Sequence, residues 1–300
     1  MAHPLSHTSD RFSNTRRRRT VAIFAAASLA AVVSGCATLA ATGLPVGSWS
    51  RNPIAWLVGL VLGTGLMLLR SPLPLARVIL ALALLGVAGT FLAPAQDGVH
   101  RWIDLGPLHV NVAALLLPAA VVALAFCGIS SRTGLTFPAA MAALLVLQPD
   151  ASQATSFLVA VIILVAVSTP SRGRVLIALA AALLLAISWT RPDPLQAVAE
   201  AEGVFRLALG ISPLLAAAAG LALAAASLAP LGLRTTAGAS HRTAARALTG
   251  YFVSAAICPA FAAFPVPLVG LGMSFPVGYW LGIALLCAKG SPVKNAPAAK

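Results

Sequence analysis

The sequence predicts an all-α polytopic membrane protein with about ten transmembrane helices and both termini in the cytoplasm. Hydrophobic residues make up 59% of the chain and charged residues only 9%, and the mean hydropathy is +0.94. A soluble core cannot bury that much apolar surface, so most side chains must face lipid or another spanning helix. Ten apolar runs, separated by short polar breaks whose charges alternate in sign, complete the prediction.

The alternation of charge fixes the predicted orientation. The N-terminal segment, every second break after it and the C-terminal tail hold all but four of the 20 basic residues, and Asp10 is the one acid among them. Cationic loops resist translocation across an energised membrane, so these segments are predicted to be cytoplasmic. The intervening breaks are predicted to lie outside, and they hold the remaining acidic residues: Asp97, Asp104, Asp150, Asp193, Glu200 and Glu202.

The apolar runs divide the chain into three parts. Residues 1–20 are polar and rich in Ser, Thr and Arg, which predicts a disordered basic cytoplasmic tail. A transmembrane domain of residues 21–288 follows, and residues 289–300 form a short cytoplasmic tail. At about 1.5 Å per residue, most of the runs can cross a hydrocarbon core of roughly 30 Å. The runs cover 21–44, 53–69, 76–94, 111–129, 134–148, 153–169, 174–190, 204–230, 244–264 and 266–288.

Two places depart from simple spans. The fifth run is short and contains Pro138, but removing it would place the later basic breaks outside, so the charge pattern favours keeping it. The ninth and tenth runs meet near Phe264 with almost no loop, which predicts a tight helical hairpin or broken helices buried in protein. Three prolines and four glycines in the tenth segment also disfavour one continuous helix.

The composition argues against several classes of partner and site. The net charge of +13 is explained by the basic breaks and lacks the aromatic-basic pattern of a nucleic-acid surface, so no nucleic acid is expected. The four cysteines fall inside or at the ends of apolar runs, without the spacing of a zinc site or a disulfide framework. Val33–Cys36 is similar to a lipoprotein processing site, but the apolar run continues past it, which favours an uncleaved first helix.

The outward break before the fourth run is the first stretch that could carry chemistry. Arg101 and Trp102 open it, and Asp104 follows shortly before a Gly-Pro turn. An interfacial loop explains these residues, with Trp102 at the headgroup level and Arg101 paired with Asp104 or with a lipid phosphate. A binding role for the same residues stays open.

Two further stretches combine polar groups with irregular backbone. Gln148-Pro149-Asp150 ends the fifth run, and an ionisable group near membrane depth usually faces a cavity or a partner. Asp150 is therefore predicted either to face a cavity or to cap the next helix. Pro267–Ser274 precede the last helix, and such irregular backbone is tolerated at membrane depth only where it lines a cavity or is buried in protein.

Together the three stretches resemble the SEDS family, the RodA/FtsW/SpoVE class of bacterial cell-wall polymerases. Arg101–Pro107 is similar to the loop before that family's fourth helix, Gln148–Asp150 matches its QPD motif, and Pro267–Ser274 resembles the Pro- and Gly-rich start of its last helix. The order, spacing, sidedness and helix count agree over residues 50–288. The resemblance implies a SEDS-like bundle in a bacterial cytoplasmic membrane that acts in peptidoglycan synthesis during growth or division.

The resemblance also implies a substrate, a partner and site residues. The family polymerises a lipid-linked disaccharide-pentapeptide at the outer face, usually with a class B penicillin-binding protein. The substrate-binding candidates are Arg101, Trp102, Asp104, Gln148 and Glu202, and the catalytic candidates are Asp150 and Asp193. A cation there would offset the charge of the pyrophosphate, and a carboxylate could position a divalent cation or a sugar hydroxyl.

The sequence departs from the family in the loop after the seventh run. Family members carry a long outward loop with an essential carboxylate, whereas Thr190–Gly203 is short and lacks that motif. Two hypotheses follow: a divergent glycosyltransferase in which Asp150 or Asp193 replaces the missing base, and a non-catalytic scaffold or lipid-precursor binder. A flippase or transporter is a third and weaker reading, resting only on many helices with irregular segments.

Overall fold

Each of the ten apolar runs contains at least one helix in the structure, which is a computed structural model. The structure describes residues 5–69, 72–106, 108–129, 131–167, 172–233 and 238–288. Arg70, Arg234 and the predicted tail 289–300 lie outside the described residues. The helices are α1 (Leu5–Ala41), α2 (Val46–Trp49), α3 (Arg51–Leu68), α4 (Pro72–Gly89), α5 (Val112–Cys127), α6 (Arg132–Leu147), α7 (Ala151–Ala166), α8 (Arg172–Thr190), α9 (Val204–Ile211), α10 (Pro213–Leu228), α11 (Ala239–Ile257) and α12 (Ser274–Cys287).

Length and composition make this chain a polytopic helical membrane protein, as predicted. Five segments of the described chain are long and apolar enough to cross a membrane. They are Asn14–Ala41, Val46–Leu68, Leu73–Leu92, Gly173–Thr190 and Pro213–Leu233. The first helix begins at Leu5, inside the segment 1–20, and the division of the chain into tails and domain stays a prediction.

Helices α5, α7, α11 and α12 form the centre of the bundle. Helix α12 packs against α3 and α5, and α11 packs against α5 and α7. Close approach is possible because glycine lies where α12 meets α5: a Cβ added to Gly278 would sit 2.2 Å from the carbonyl oxygen of Ala114. Helices α1, α3, α4, α8 and α10 lie around this centre, and many of their leucines and valines are exposed.

The eighth run is broken into two helices rather than one. Ser212 has an extended backbone (φ −162°, ψ 126°) between α9 and α10, and Pro213 occupies the first turn of α10. A proline disfavours helical geometry in the residue before it and supplies no N–H for the preceding turn. The fifth run forms helix α6 in spite of Pro138, and its crossing of the membrane stays a prediction from the charge pattern.

The segment between α11 and α12 is irregular and held by protein backbone. A 3₁₀ turn, Cys258–Ala260, ends α11, and the chain then runs without regular structure to Ser274. Asn52 on α3 anchors this segment through two hydrogen bonds. Its side-chain amide donates to the Gly270 carbonyl oxygen at 2.8 Å and accepts from the Gly272 N–H at 3.1 Å. The predicted alternative of broken, protein-buried backbone is therefore the observed one.

A two-stranded hairpin precedes α5, a feature that the sequence did not predict. Strand β1 (Trp102–Leu105) pairs antiparallel with β2 (Leu108–Asn111) across a turn at Gly106, whose φ is +62°. Glycine adopts that left-handed conformation without the steric cost that a side chain would carry. The hairpin closes one end of the bundle over the start of α5.

The acidic and basic breaks gather at opposite ends of the bundle. At the basic end, Arg17 lies within electrostatic reach of His241 and Cys287, and the Phe126 ring contacts the His241 ring at 4.9 Å. These residues belong to four different helices, α1, α5, α11 and α12. At the other end, the hairpin, the α6–α7 corner and the α8–α9 loop meet. The segregation read along the sequence is thus a segregation in space.

Candidate functional site

Arg101 lies at the centre of the candidate site and is almost fully buried, with 5% of the residue exposed. Its Nε donates to the Gln148 carbonyl oxygen at 3.3 Å, and its Nη2 donates to the carbonyl oxygen of Pro149. Nη2 also donates to Oδ2 of Asp193 at 2.7 Å, and Oδ2 of Asp150 lies 3.8 Å from Nε. One guanidinium therefore joins the hairpin, the α6–α7 corner and the α8–α9 loop.

The end of α6 explains why the Arg101 guanidinium lies at the α6–α7 corner. Helix α6 ends at Leu147, and the last carbonyls of a helix have no partner within the helix and carry partial negative charge. Asp150 then caps α7, since its Oδ1 accepts from the Gln153 N–H at 3.1 Å and from the Ser152 hydroxyl at 3.0 Å. Both alternatives predicted for Asp150 hold: it caps the next helix and it faces a cavity.

Asp193 reaches Arg101 from a loop without regular secondary structure. Residues 192–198 connect α8 to the turns before α9, and the Asp193 side chain is 25% exposed. Its Oδ1 accepts from the Leu195 N–H at 3.3 Å, which orients the carboxylate toward the guanidinium. The short loop thus delivers a carboxylate to the same cavity as Asp150.

Gln148 supports the site from behind and does not line the cavity. Its Nε2 donates to the Thr90 hydroxyl at 2.5 Å, and that hydroxyl donates in turn to backbone carbonyls of Val87 or His100. Its Oε1 is buried and has no partner among the described residues. The Thr90 bond thus fixes the corner beneath Arg101, and a contact of Gln148 with substrate stays a prediction.

The hairpin presents Trp102 to the cavity and turns Asp104 away from it. The Trp102 ring stacks on His109 at 5.0 Å with a 20° interplanar angle, and the Arg101 guanidinium lies 5.8 Å from the Trp102 ring centroid. Asp104 is the cross-strand partner of His109 and bonds its Nδ1 at 2.5 Å. The expected Arg101–Asp104 pair is consequently wrong, because the strand register gives Asp104 another partner.

A cavity of about 290 Å³ opens in front of these groups. Five of the predicted site residues line it, whereas Gln148 and Asp104 do not. Its far wall comes from the irregular segment before α12, including Leu271 and Met273, and from Ser274 at the start of α12. The five predicted residues that line it are Arg101, Trp102, Asp150, Asp193 and Glu202.

Glu202 closes the side of the cavity next to α9. Its Oε2 accepts from the Val198 N–H at 2.9 Å. Burial raises the pKa of Glu202 above its ordinary value, and the charge of Asp193 raises it further, while the Val198 bond and Arg101 act in the opposite direction. Glu202 thus gains a proton more readily than a solvated glutamate, which would let it donate a hydrogen bond to a ligand.

Sequence reasoning missed several polar groups of the cavity. Gln153 lines it and accepts a hydrogen bond from the buried hydroxyl of Tyr251 on α11. Asn111 lines it too, and its N–H donates to the Ser274 hydroxyl at 2.9 Å. Gln153 follows Asp150 by three residues, so both lie at the start of α7, and this spacing could have indicated that Gln153 lies near the cavity. Nothing in the sequence pairs Gln153 with Tyr251.

The described residues do not fit a divalent cation at this place. They contain no group of three or more His, Cys, Asp and Glu side chains that could hold a metal ion. Asp193 is bonded to a guanidinium, and one oxygen of Asp150 is committed to the cap of α7. The positive charge at this place is that of the Arg101 guanidinium.

The fold and the site define a class, namely polytopic helical membrane proteins with a polar cavity at one end of the bundle. Within that class the chain shares its fold with the rod shape determining protein RodA of Thermus thermophilus, at 22% identity and a TM-score of 0.60, covering 88% of this chain and 94% of RodA. An aspartate-to-alanine variant of the same RodA matches with a TM-score of 0.61, again at 22% identity, over 88% and 95% of the two chains.

A chain from a peptidoglycan synthase complex that coordinates polymerization and crosslinking also matches. Its TM-score is 0.62 at 22% identity, over 88% of this chain and 96% of that one. No protein-family model and no curated protein sequence matches the chain. The structural likeness confirms the SEDS-like fold expected from the three sequence stretches.

Proposed function

We propose that this chain is a SEDS-like protein of bacterial cell-wall synthesis, and that its cavity binds the undecaprenyl-pyrophosphate-linked precursor of peptidoglycan. The buried Arg101 carries the proposal. A cation with 5% exposure, held by two backbone carbonyls at the floor of a cavity, is costly to bury unless it serves a ligand or a fixed partner. Guanidinium groups match phosphate oxygens in geometry and charge, and a pyrophosphate headgroup supplies those oxygens.

The charge segregation supports the location of this site. The cavity lies at the end that carries the acidic breaks, and the positive-inside rule puts that end outside a bacterial cytoplasmic membrane. Both termini would then be cytoplasmic. A lipid-linked precursor presents its sugar and pyrophosphate at the membrane surface, so a cavity at the outer end of the bundle is suitably placed for it.

Glycosyl transfer is the activity that we infer if the cavity is catalytic. A sugar hydroxyl would attack the anomeric carbon of the lipid-linked sugar and give its proton to Asp150, while the bond to undecaprenyl pyrophosphate breaks and the pyrophosphate leaves beside Arg101. A general base must come within about 2.6–3.2 Å of the hydroxyl that it deprotonates. Oδ1 of Asp150 is occupied by the Ser152 and Gln153 donors, so Oδ2 would accept the proton. Asp193 is the weaker candidate, because its Oδ2 is already bonded to the Arg101 guanidinium at 2.7 Å.

A non-catalytic scaffold is the second function, and one observation favours it. Both catalytic candidates have structural partners, since Asp150 caps α7 and Asp193 bonds Arg101. A protein that only binds the precursor, or a partner such as a class B penicillin-binding protein, needs no free base. Co-purification with a class B penicillin-binding protein, together with binding of precursor without turnover, would support this function.

The test of the proposed function is a binding and elongation assay on the purified full chain. Fluorescent lipid-linked precursor is added to the protein in nanodiscs, with and without a penicillin-binding partner. We expect saturable binding that Arg101→Gln weakens at least tenfold, as loss of a charged hydrogen-bonding partner does. Equal binding by the wild type and the Arg101→Gln variant would overturn the proposal. Elongated glycan products would separate the enzyme from the scaffold.

A further inference from the structure

We propose that Asp193 is a resident anionic ligand of Arg101, and that segment 191–197 is a strap that a phosphate-bearing ligand displaces from the cavity. The inference rests on the proposed function, because it takes Arg101 as the phosphate-binding group. It gives the shortened α8–α9 loop a role other than supplying a base. The loop instead sets which anions can enter.

The donors of Arg101 show why ligand and strap compete. A guanidinium has five N–H groups, and three of them are committed: one to Gln148, one to Pro149 and one to Asp193. The two backbone carbonyls fix the position of the group, so Arg101 cannot swing away to meet a ligand elsewhere. Both protons of Nη2 are occupied, and a bidentate phosphate on the Nη1–Nη2 edge must take the place of Asp193.

The strap has few attachments to the rest of the molecule. Residues 192–198 have no regular secondary structure. Among the hydrogen bonds of the described residues, the Asp193–Arg101 bond is the one that ties 191–197 to the rest of the molecule. Asp193 is 25% exposed whereas Arg101 is buried, so water already reaches the carboxylate side of the pair.

The base of the strap is firmly attached, which makes it a hinged segment. The Val266 N–H donates to the Ala201 carbonyl oxygen at 2.9 Å, and the Leu271 N–H donates to the Glu200 carbonyl oxygen at 2.9 Å. Both donors belong to the irregular segment before α12. A movement that begins at Asp193 would therefore stop at residues 200–201 and leave the far wall of the cavity in place.

The competition implies a selectivity. A single carboxylate or a neutral sugar offers Arg101 no more than Asp193 already does. A phosphate group, and a pyrophosphate more so, offers two oxygens and a greater negative charge, and can replace the carboxylate. The carboxylate of Asp193, once released, would be repelled by the bound anion and would keep the strap open.

The experiment uses the full chain in nanodiscs and farnesyl pyrophosphate as the probe. The structure predicts that Asp193→Asn binds the probe about five- to tenfold more tightly than the wild type, since the amide competes poorly for a guanidinium. Asp97→Asn is the matched control, because it removes an exposed acid at the same end that does not line the cavity. Its affinity should equal that of the wild type.

Movement of the strap is read from a single cysteine at Leu195, a half-buried residue of the strap that lines the cavity. Leu195→Cys should react with a maleimide several-fold faster when the probe is bound, and equally fast without probe in the Asp193→Asn background. Unchanged labelling and unchanged affinity in the Asp193→Asn variant would overturn the strap.

The failure of the strap is distinguishable from the failure of the binding site. If Arg101→Gln loses binding but Asp193→Asn gains none, the anion site stands and the strap is wrong. If Arg101→Gln binds the probe as well as the wild type, both the site and the strap are wrong. Inorganic pyrophosphate and farnesol, the two halves of the probe, are tested separately in the same assay. Binding of farnesol alone would also contradict an anion-driven displacement.

Discussion

The two ends of the bundle both carry arginine, but they hold it in different ways. At the basic end most of the cations are spread over several helices, and Arg16–Arg19 are largely exposed at the start of the first span. At the acidic end Arg101 is buried, held by two carbonyl oxygens and bonded to Asp193. Orientation in a membrane explains exposed cations at helix ends. It does not explain a buried cation at the opposite end, and that difference is what singles out the site.

The comparison of the two ends depends most on the orientation of the bundle, so the first test is which end faces outside. Asp104→Cys and Arg242→Cys are introduced separately into a background lacking the native cysteines. An impermeant maleimide added to intact cells should label position 104 fully and position 242 hardly at all, because basic segments stay in the cytoplasm. Strong labelling of position 242 before lysis would reverse the orientation.

Asp150→Asn tests the acidic end most directly. Asparagine caps a helix about as well as aspartate, so the variant should fold and insert at normal abundance. The amide loses the charge and the proton-accepting capacity, so we expect complementation of a deletion strain to be abolished. Asp97→Asn, which changes an exposed acid at the same end that does not line the cavity, is the control and should complement. Full complementation by Asp150→Asn would leave only the scaffold function.

Arg101→Lys compares the two ends at constant charge. Lysine cannot reproduce contacts to two carbonyl oxygens and a carboxylate with one planar group, so complementation should fail at normal protein levels. Arg77→Lys at the basic end keeps the charge that orientation requires and should grow as the wild type does. If both lysine variants are silent, Arg101 is an orienting charge like the others.

Glu202→Gln should have the smallest effect, visible in the pH dependence of stability. The raised pKa of Glu202 means that the folded state binds the proton more tightly than the unfolded state. Its contribution therefore lowers the free energy of unfolding as pH rises above the ordinary glutamate pKa. Melting curves between about pH 4 and pH 8 should coincide for both proteins in acid and favour the Gln variant slightly at neutral pH. A variant that melts lower at neutral pH would contradict this sign.

The architecture was predictable because lipid imposes simple rules on sequence. Apolar runs, their count and the alternation of charge each follow from the cost of polar groups in a membrane. The break at Ser212 was also readable, since Pro213 follows it, but the long apolar run concealed it. The hairpin was missed because its strands have four residues each, too few for a clear alternation.

The site was predictable only in its parts. Arg101, Asp150 and Asp193 each stood out as polar groups in an apolar chain, but the contacts among them join residues far apart in sequence. Which carboxylate reaches Arg101 directly depends on the path of the α8–α9 loop, and that path has no local signal. The role of Gln148 likewise depends on Thr90, which nothing near it in the sequence indicates.

Helix α12 has a consequence for how the protein is assembled during synthesis. The ribosome makes α3 and α5 long before α12, yet α12 lies between them, with Trp280 and Tyr279 fully buried. Until α12 is made, the faces of α3 and α5 that it will cover must contact lipid or an assisting protein. These helices reach their final packing only after α12 has inserted. Since Ser274 and Phe275 at the start of α12 complete the cavity wall, the site exists only once that late helix is in place.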